Sequence, residues 1–215
     1  MITMDVLLFD LDNTLYPPER ELFNLIDVRI NRFMTEQVGI PVGAVDALRR
    51  EYWTAYGVTL QGLIRHHGVD PEAYLHYVHD VDVAARLTPD AELRDMLAAL
   101  PQRKAVFTNG STCHAGRVLA ALGIADQFET VYDIRVADYL PKPYPEPYHA
   151  VVAALGTTPE RCIMIEDSRD NLRTAKSLGM TTVLVGAGTT PEYVDLHLAD
   201  VLALGQAMQL AEAAP

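Results

Sequence analysis

The chain has 215 residues, of which 49% are hydrophobic and 21% charged, with a formal net charge of −12. That length allows one large domain or one domain with a modest insertion, and the composition excludes a disordered or fibrous chain. The acidic balance argues against a nucleic-acid polymer as ligand, because such affinity rests on Lys and Arg neutralising phosphates.

The opening MITMDVLLFD has neither a basic segment nor a long apolar one. Neither a signal peptide nor a membrane span is expected, and the cytoplasm is the expected location. Val6 to Phe9 is a short, continuously apolar run, the pattern of a strand buried on both faces of a parallel sheet. From about Pro17 to Arg86 the rhythm changes. Leu22, Leu25, Ile26, Ile30 and Phe33 recur at helical spacing, and Asp70-Pro71 opens a helix expected to end near Val83. This stretch reads as a helical insertion after the first strand. Apolar runs return at Lys104 to Thr108, Thr130 to Ile134, Cys162 to Ile165 and Thr181 to Val185. Thr88-Pro89, Thr158-Pro159 and Thr190-Pro191 each offer a capping Thr and a proline at the first helical position. Strands alternating with helices predict an α/β fold with a doubly wound parallel sheet. The Ala-rich tail from Gln206 is expected to be peripheral, and Cys113 and Cys162, with no CxxC spacing, suit a reducing compartment.

Four short motifs carry the chemistry. Asp10-Leu11-Asp12-Asn13-Thr14 follows the first apolar run, and in an open α/β sheet ligands bind beyond the carboxyl ends of the strands. Asp10 is the candidate nucleophile and Asp12 the candidate acid/base, and Asp10 and the Asp12 carbonyl can hold a metal. Thr108-Asn109-Gly110-Ser111 offers a hydroxyl and consecutive amides to phosphate oxygens, which makes Thr108 and Asn109 candidate substrate-binding residues. Lys142 sits between two prolines that restrict its backbone. Glu166-Asp167 places adjacent acids after another buried run, a donor set for a hard cation.

This ordered set resembles the haloacid dehalogenase-like hydrolase superfamily. The resemblance implies a Rossmann-like core, residues 1–16 and 87–215, with an α-helical cap, residues 17–86, inserted after the first strand. It implies Mg2+ held by Asp10, Asp12, Glu166 and Asp167, with Asp10, Asp12 and Lys142 catalytic and Lys142 also meeting the substrate. Haloalkanoate dehalogenases of the superfamily generally lack the second aspartate, so Asp12 points to phosphoryl transfer. More narrowly, FDLDNTLYP, the run Tyr52-xxx-Tyr56-Gly57-x-Thr59-Leu60-x-Gly62-Leu63 and His79-Asp80 are similar to the pyrimidine 5′-nucleotidase branch.

The expected reaction is hydrolysis of a small phosphorylated metabolite, a nucleoside monophosphate, through an aspartyl-phosphate on Asp10. A phosphosugar phosphatase or phosphomutase of the same superfamily is the alternative, and a receiver-like phosphate-binding domain a more distant one. Asp10, Asp12, Glu166 and Asp167 outnumber the positive charge of Lys142 and one divalent ion, so one carboxyl is expected to hold a proton, with Asp12 the expected holder. Ser168 and Asn171 are expected to support the metal ligands, and Tyr52, Trp53 and Tyr56 are candidates for stacking on a base. His66, His67, His76 and His79 are read as cap surface or hydrogen-bonded residues with no metal. The oligomeric state is not readable from the sequence.

Overall fold

Each apolar run of the core becomes a strand. The computed structural model describes residues 4–213. Its six strands are β1 (Val6–Phe9), β2 (Arg103–Phe107), β3 (Thr130–Tyr132), β4 (Cys162–Glu166), β5 (Thr181–Val185) and β6 (Leu196–Leu198). They form one parallel sheet in the order β3-β2-β1-β4-β5-β6. β1 lies at the centre, and its two neighbours belong to the two wings of the sheet. The crevice beyond its carboxyl end is therefore the topological switch point at which such sheets bind ligands.

β1 is apolar throughout because both its faces are covered. Leu7 and Phe9 enter one hydrophobic cluster and Val6 and Leu8 the other, and all four are fully buried. The five strands expected from apolar runs are all present. β6 is not legible in the sequence, since Leu-His-Leu at a sheet edge needs only one inward apolar side chain.

Between β1 and residue 87 the described residues contain helices and no strand: α1 (Leu22–Arg32), α2 (Val42–Tyr56), α3 (Thr59–His67) and α4 (Pro71–Val78). They enclose a hydrophobic cluster of their own, with Ile26, Ile30, Phe33, Met34, Leu60, Leu63, Tyr74 and Leu75 among its buried members. α4 begins as expected, with the Asp70 side chain accepting from the Glu72 amide and Pro71 in its first turn, but it ends at Val78 rather than near Val83. Gly62 packs directly under Tyr52: a Cβ there would lie 2.0 Å from the Tyr52 ring. Two contacts pin this layer to the core. Glu72 accepts from Arg135 at 2.7 Å through both oxygens and from the Tyr139 hydroxyl at 2.5 Å, and the Gln61 amide donates to the Tyr139 carbonyl at 2.6 Å.

The remaining helices are α5 (Ala91–Ala99), α6 (Thr112–Leu122), α7 (Pro145–Leu155), α8 (Arg169–Ser177) and α9 (Leu204–Ala213). Three Thr-Pro signals behave differently from the expectation. α5 starts at Ala91 because Asp90 rather than Thr88 caps it, accepting from the Leu93 amide at 2.9 Å. Thr158-Pro159 opens only a three-residue 3-10 turn, since buried β4 begins at Cys162 and leaves no room for a helix. Thr190-Pro191 starts no helix, because Asp195 is tied back to the Thr182 amide at 2.9 Å and the chain enters β6. α9 is less peripheral than its composition suggests: Leu204 is fully buried, and Ala207 and Met208 pack against the core cluster.

Candidate active site

Three strand ends and one loop converge on the crevice. Asp10 follows β1, Thr108 follows β2, Glu166 ends β4 with Asp167 directly after it, and Lys142 arrives on the loop before α7. Asn13 takes the left-handed conformation with φ 64°, which Asn tolerates better than most residues and which turns the chain sharply after Asp12.

Lys142 is the hub. Its ammonium is 1% exposed and donates to Asp10 Oδ1 at 2.7 Å, to Glu166 Oε2 at 2.8 Å and to the Phe107 carbonyl at 2.7 Å. An ammonium has three hydrogens, and all three are engaged within the protein. Lys142 thus orients Asp10 and neutralises buried carboxylates.

Asn109 likewise turns inward. Its amide donates to the Lys142 carbonyl at 3.0 Å and its Oδ1 accepts from the Lys142 amide at 2.8 Å, a reciprocal pair that clamps the Lys142 loop to the end of β2. Its side chain therefore holds the loop, and the expected contact with phosphate rests on its main-chain N–H. Thr108 keeps its expected place at the cleft: Oγ1 accepts from the Gly110 amide at 2.9 Å, so its own hydroxyl hydrogen remains to meet a phosphate oxygen.

Glu166 accepts four hydrogen bonds, from Lys142, the Asn171 amide group at 2.9 Å, and the main-chain N–H groups of Asp167 and Ser168 at 3.2 and 3.1 Å. Asn171 therefore supports Glu166 as expected, and Ser168 caps α8. Donor oxygens of Asp10, Glu166 and Asp167 all lie within 4.8 Å of one another. An all-oxygen carboxylate set of this kind fits a hard divalent cation. Asp12 points its side chain elsewhere. Its Oδ1 accepts from the Tyr16 hydroxyl at 2.5 Å and from His114 Nε2 at 2.9 Å, so its side chain is not one of the three clustered acids.

A family profile described as haloacid dehalogenase-like hydrolase matches residues 4–179. The chain belongs to that family. Among relatives, it is 29% identical over 194 residues to phosphate metabolism protein 8 of Saccharomyces cerevisiae, a match spanning 83% of this chain and 60% of the yeast protein. It is 28% identical over 215 residues to a phosphoglycolate phosphatase of Pectobacterium atrosepticum, spanning 91% of this chain and 86% of that one. Among solved structures, a HAD phosphatase from Thermococcus onnurineus superposes with a TM-score of 0.66 at 18% identity, over 95% of this chain and 98% of the other. An L-2-haloacid dehalogenase from Xanthobacter autotrophicus gives 0.63 at 19% identity, over 96% and 99%. At those identities the superpositions show the fold alone.

The electrostatics of this hydrolase differ in one respect from the sequence expectation. Asp12, expected to hold the spare proton, is held below its usual range: burial raises it, and the proximity and hydrogen bond of His114 and the bond from Tyr16 more than offset that. The raised carboxyls are Asp10 and Asp167, both through burial and through the charge of Glu166. Two of the three clustered acids thus resist ionisation together, which is the condition a divalent cation relieves. Phosphate arriving beside Asp10 adds negative charge next to Asp12 and raises it in turn.

A raised carboxyl makes a signed prediction. The folded state holds those protons more tightly than the unfolded chain, so stability is lost as the pH rises from about 4 through the raised values. In EDTA, Asp167→Asn should therefore melt several degrees higher than wild type at pH 8, with the advantage fading toward pH 4. Added Mg2+ should reverse the order at pH 8, because an ion that binds only the folded state stabilises it. Melting curves at four pH values test this, and a pH-independent difference would show that the carboxylates are not crowded.

Two residues of the site escaped the sequence reading. Tyr16 and His114 are 2% and 0% exposed and sit behind Asp12. His114 lies in the first turn of α6, the helix that the Thr108 loop opens, and only that position distinguishes it from the other histidines. His79 does reach the site: buried, it stacks on His114 with ring centroids 4.7 Å apart. His66 and His67 pair instead with the hydroxyls of Tyr56 and Tyr52 at 2.9 Å, and His76 is exposed.

Proposed function

We propose that the protein is a Mg2+-dependent phosphomonoesterase working through an aspartyl-phosphate on Asp10, with residues 17–86 as its cap and a nucleoside monophosphate as substrate. The observation that carries the reaction type is the pair of acids beyond the nucleophile: Asp167 beside Asp10, and Asp12 at the same strand end. Displacement of halide from carbon needs neither a cation nor a proton for its leaving group, whereas expulsion of an alkoxide from phosphate is helped by both. A receiver-like domain is disfavoured by the four helices α1 to α4 inserted between β1 and α5.

In this reading, a carboxylate oxygen of Asp10 attacks phosphorus as the bond to the leaving oxygen breaks, and Asp12 gives that oxygen a proton. Water then attacks phosphorus, Asp12 takes its proton, and the Asp10–phosphorus bond breaks. Thr108 holds an equatorial oxygen, and Lys142 and Glu166 keep Asp10 in place. Bound at Asp10, Asp167 and the Asp12 carbonyl, with Glu166 behind them, Mg2+ supplies charge neutralisation for the phosphate.

For the substrate, the support is in the cap. A cleft of about 850 Å³ runs from the acids to α1 and α2, where Phe23, Arg50 and Trp53 line it. Trp53 is 62% exposed, a ring free to stack on a planar base, whereas Tyr52 is buried beneath α3 and Tyr56 is engaged by His66. The phosphoglycolate phosphatase relatives support a second reading, a small carboxylated or sugar phosphate, for which Arg50 offers a cation at the cleft.

Phosphate release from UMP, CMP, dUMP, AMP, sugar phosphates and 2-phosphoglycolate, in Mg2+ and in EDTA, separates these. Pyrimidine nucleotides should lead, EDTA should abolish turnover, and Trp53→Ala should raise KM for UMP about tenfold while sparing 2-phosphoglycolate, since base stacking is worth about 1–3 kcal/mol. A lead for 2-phosphoglycolate would install the second reading. Isomerisation of a sugar phosphate without net phosphate release would install the mutase.

A further inference from the structure

We propose that Tyr16 and His114 are positioning residues that decide which oxygen of Asp12 exchanges protons with the substrate. The inference rests on the phosphomonoesterase reading and deepens it. An ionised carboxylate only accepts hydrogen bonds, so the Tyr16 hydroxyl at 2.5 Å and His114 Nε2 at 2.9 Å both donate to Oδ1. With two donors on one oxygen, a proton carried by Asp12 belongs on Oδ2. Among the described residues no hydrogen bond reaches Oδ2, and Asp12 lines the cleft.

The two donors are themselves fixed. The His114 main-chain N–H donates to Ser111 Oγ at 3.3 Å, which anchors the first turn of α6. Its ring is covered by His79, nearly parallel at 15°, and His79 Nδ1 lies 2.9 Å from the Leu75 carbonyl and 3.1 Å from Ser111 Oγ. His79 follows α4, so the last helix of the insertion and the first turn of α6 hold the imidazole between them. Tyr16 lies four residues beyond Asp12, buried in the core cluster, and reaches the same oxygen from the other end of the turn.

Anchoring one oxygen stops the carboxyl from rotating. Oδ2 then gives its proton to the leaving oxygen as the phosphorus–oxygen bond breaks, and later takes a proton from the attacking water. Without the anchors Asp10 still attacks, but the acid no longer points at the leaving group. The loss should therefore scale with how much the leaving group needs a proton. An alkoxide needs one; 4-nitrophenolate leaves readily without.

The test compares kcat/KM in Mg2+ for 4-nitrophenyl phosphate and for the best alkyl phosphate of the panel above. This constant covers steps up to release of the alcohol, the half-reaction in which Asp12 donates. Tyr16→Phe and His114→Ala should lower the alkyl ester about 10- to 100-fold and the aryl ester less than about threefold, a misplaced acid forfeiting part of the roughly 10²- to 10⁴-fold that general acid catalysis supplies. His114→Gln, whose amide can donate to Oδ1, should recover most of the loss. Equal falls on both esters, or no fall on either, would overturn the inference by showing that the two side chains serve packing alone. Tyr16→Phe keeps the ring in the core, so the comparison holds even where His114→Ala fails to fold. A wild-type protein that hydrolyses neither ester would overturn the phosphomonoesterase reading, and this inference with it; parallel losses in an active protein overturn the inference alone.

Discussion

Asp10→Asn is expected to lower phosphate release by at least about 10³-fold while leaving the fold intact, because a neutral amide is no nucleophile toward phosphorus. The substitution is nearly isosteric, and an amide oxygen can still accept from Lys142 Nζ, now 2.7 Å from Asp10 Oδ1. Burial and the charge of Glu166 push the Asp10 carboxyl up to about 7, so its ionisation opposes folding at neutral pH. The variant should consequently melt in EDTA at the wild-type temperature or above it. That combination, dead but not destabilised, separates loss of chemistry from loss of structure. Undiminished turnover with wild-type melting would exclude Asp10 as the nucleophile. Lost turnover together with a collapsed melting temperature would make Asp10 a structural member of the ion-pair cluster first.

The positions of the acids were legible because each follows a buried strand, and a buried parallel strand announces itself as an unbroken apolar run. Val6 to Phe9 and Cys162 to Ile165 put Asp10 and Glu166 at one rim of the sheet before any contact is known. What the side chains do at that rim was not legible. Asn109 and Lys142 are 33 residues apart, and their reciprocal hydrogen bonds depend on the register between a strand end and a distant loop. A polar residue beside a phosphate loop reads the same whether it faces the ligand or clamps its neighbour. The lowered carboxyl of Asp12 was not legible for the same reason: it reflects His114, 102 residues away. Counting charges in a motif cannot find a donor that only the tertiary fold supplies.

The same dependence makes Lys142→Met the substitution with the largest expected effect on stability. Lys142 closes three hydrogen bonds in a site with 1% exposure, and its side chain also passes 4.9 Å from the centre of the Phe107 ring. Methionine can fill the space of the stem, so the loss is electrostatic. Asp10 and Glu166 would remain buried as unpaired carboxylates, and breaking such a pair costs about 3–5 kcal/mol. For a domain of this size that lowers Tm by roughly 10 °C, and turnover should vanish because Asp10 loses its orientation. Two further measurements distinguish charge from packing. Acidification should narrow the gap to wild type, since protonating either carboxyl removes the unpaired charge. The double variant Asp10→Asn, Lys142→Met should be more stable than Lys142→Met alone, because one buried anion has gone with its partner. A double variant no more stable than the single one would mean that Lys142 stabilises through its stem and the Phe107 carbonyl, and the carboxylates of this site would then be held apart by something other than the cation at its centre.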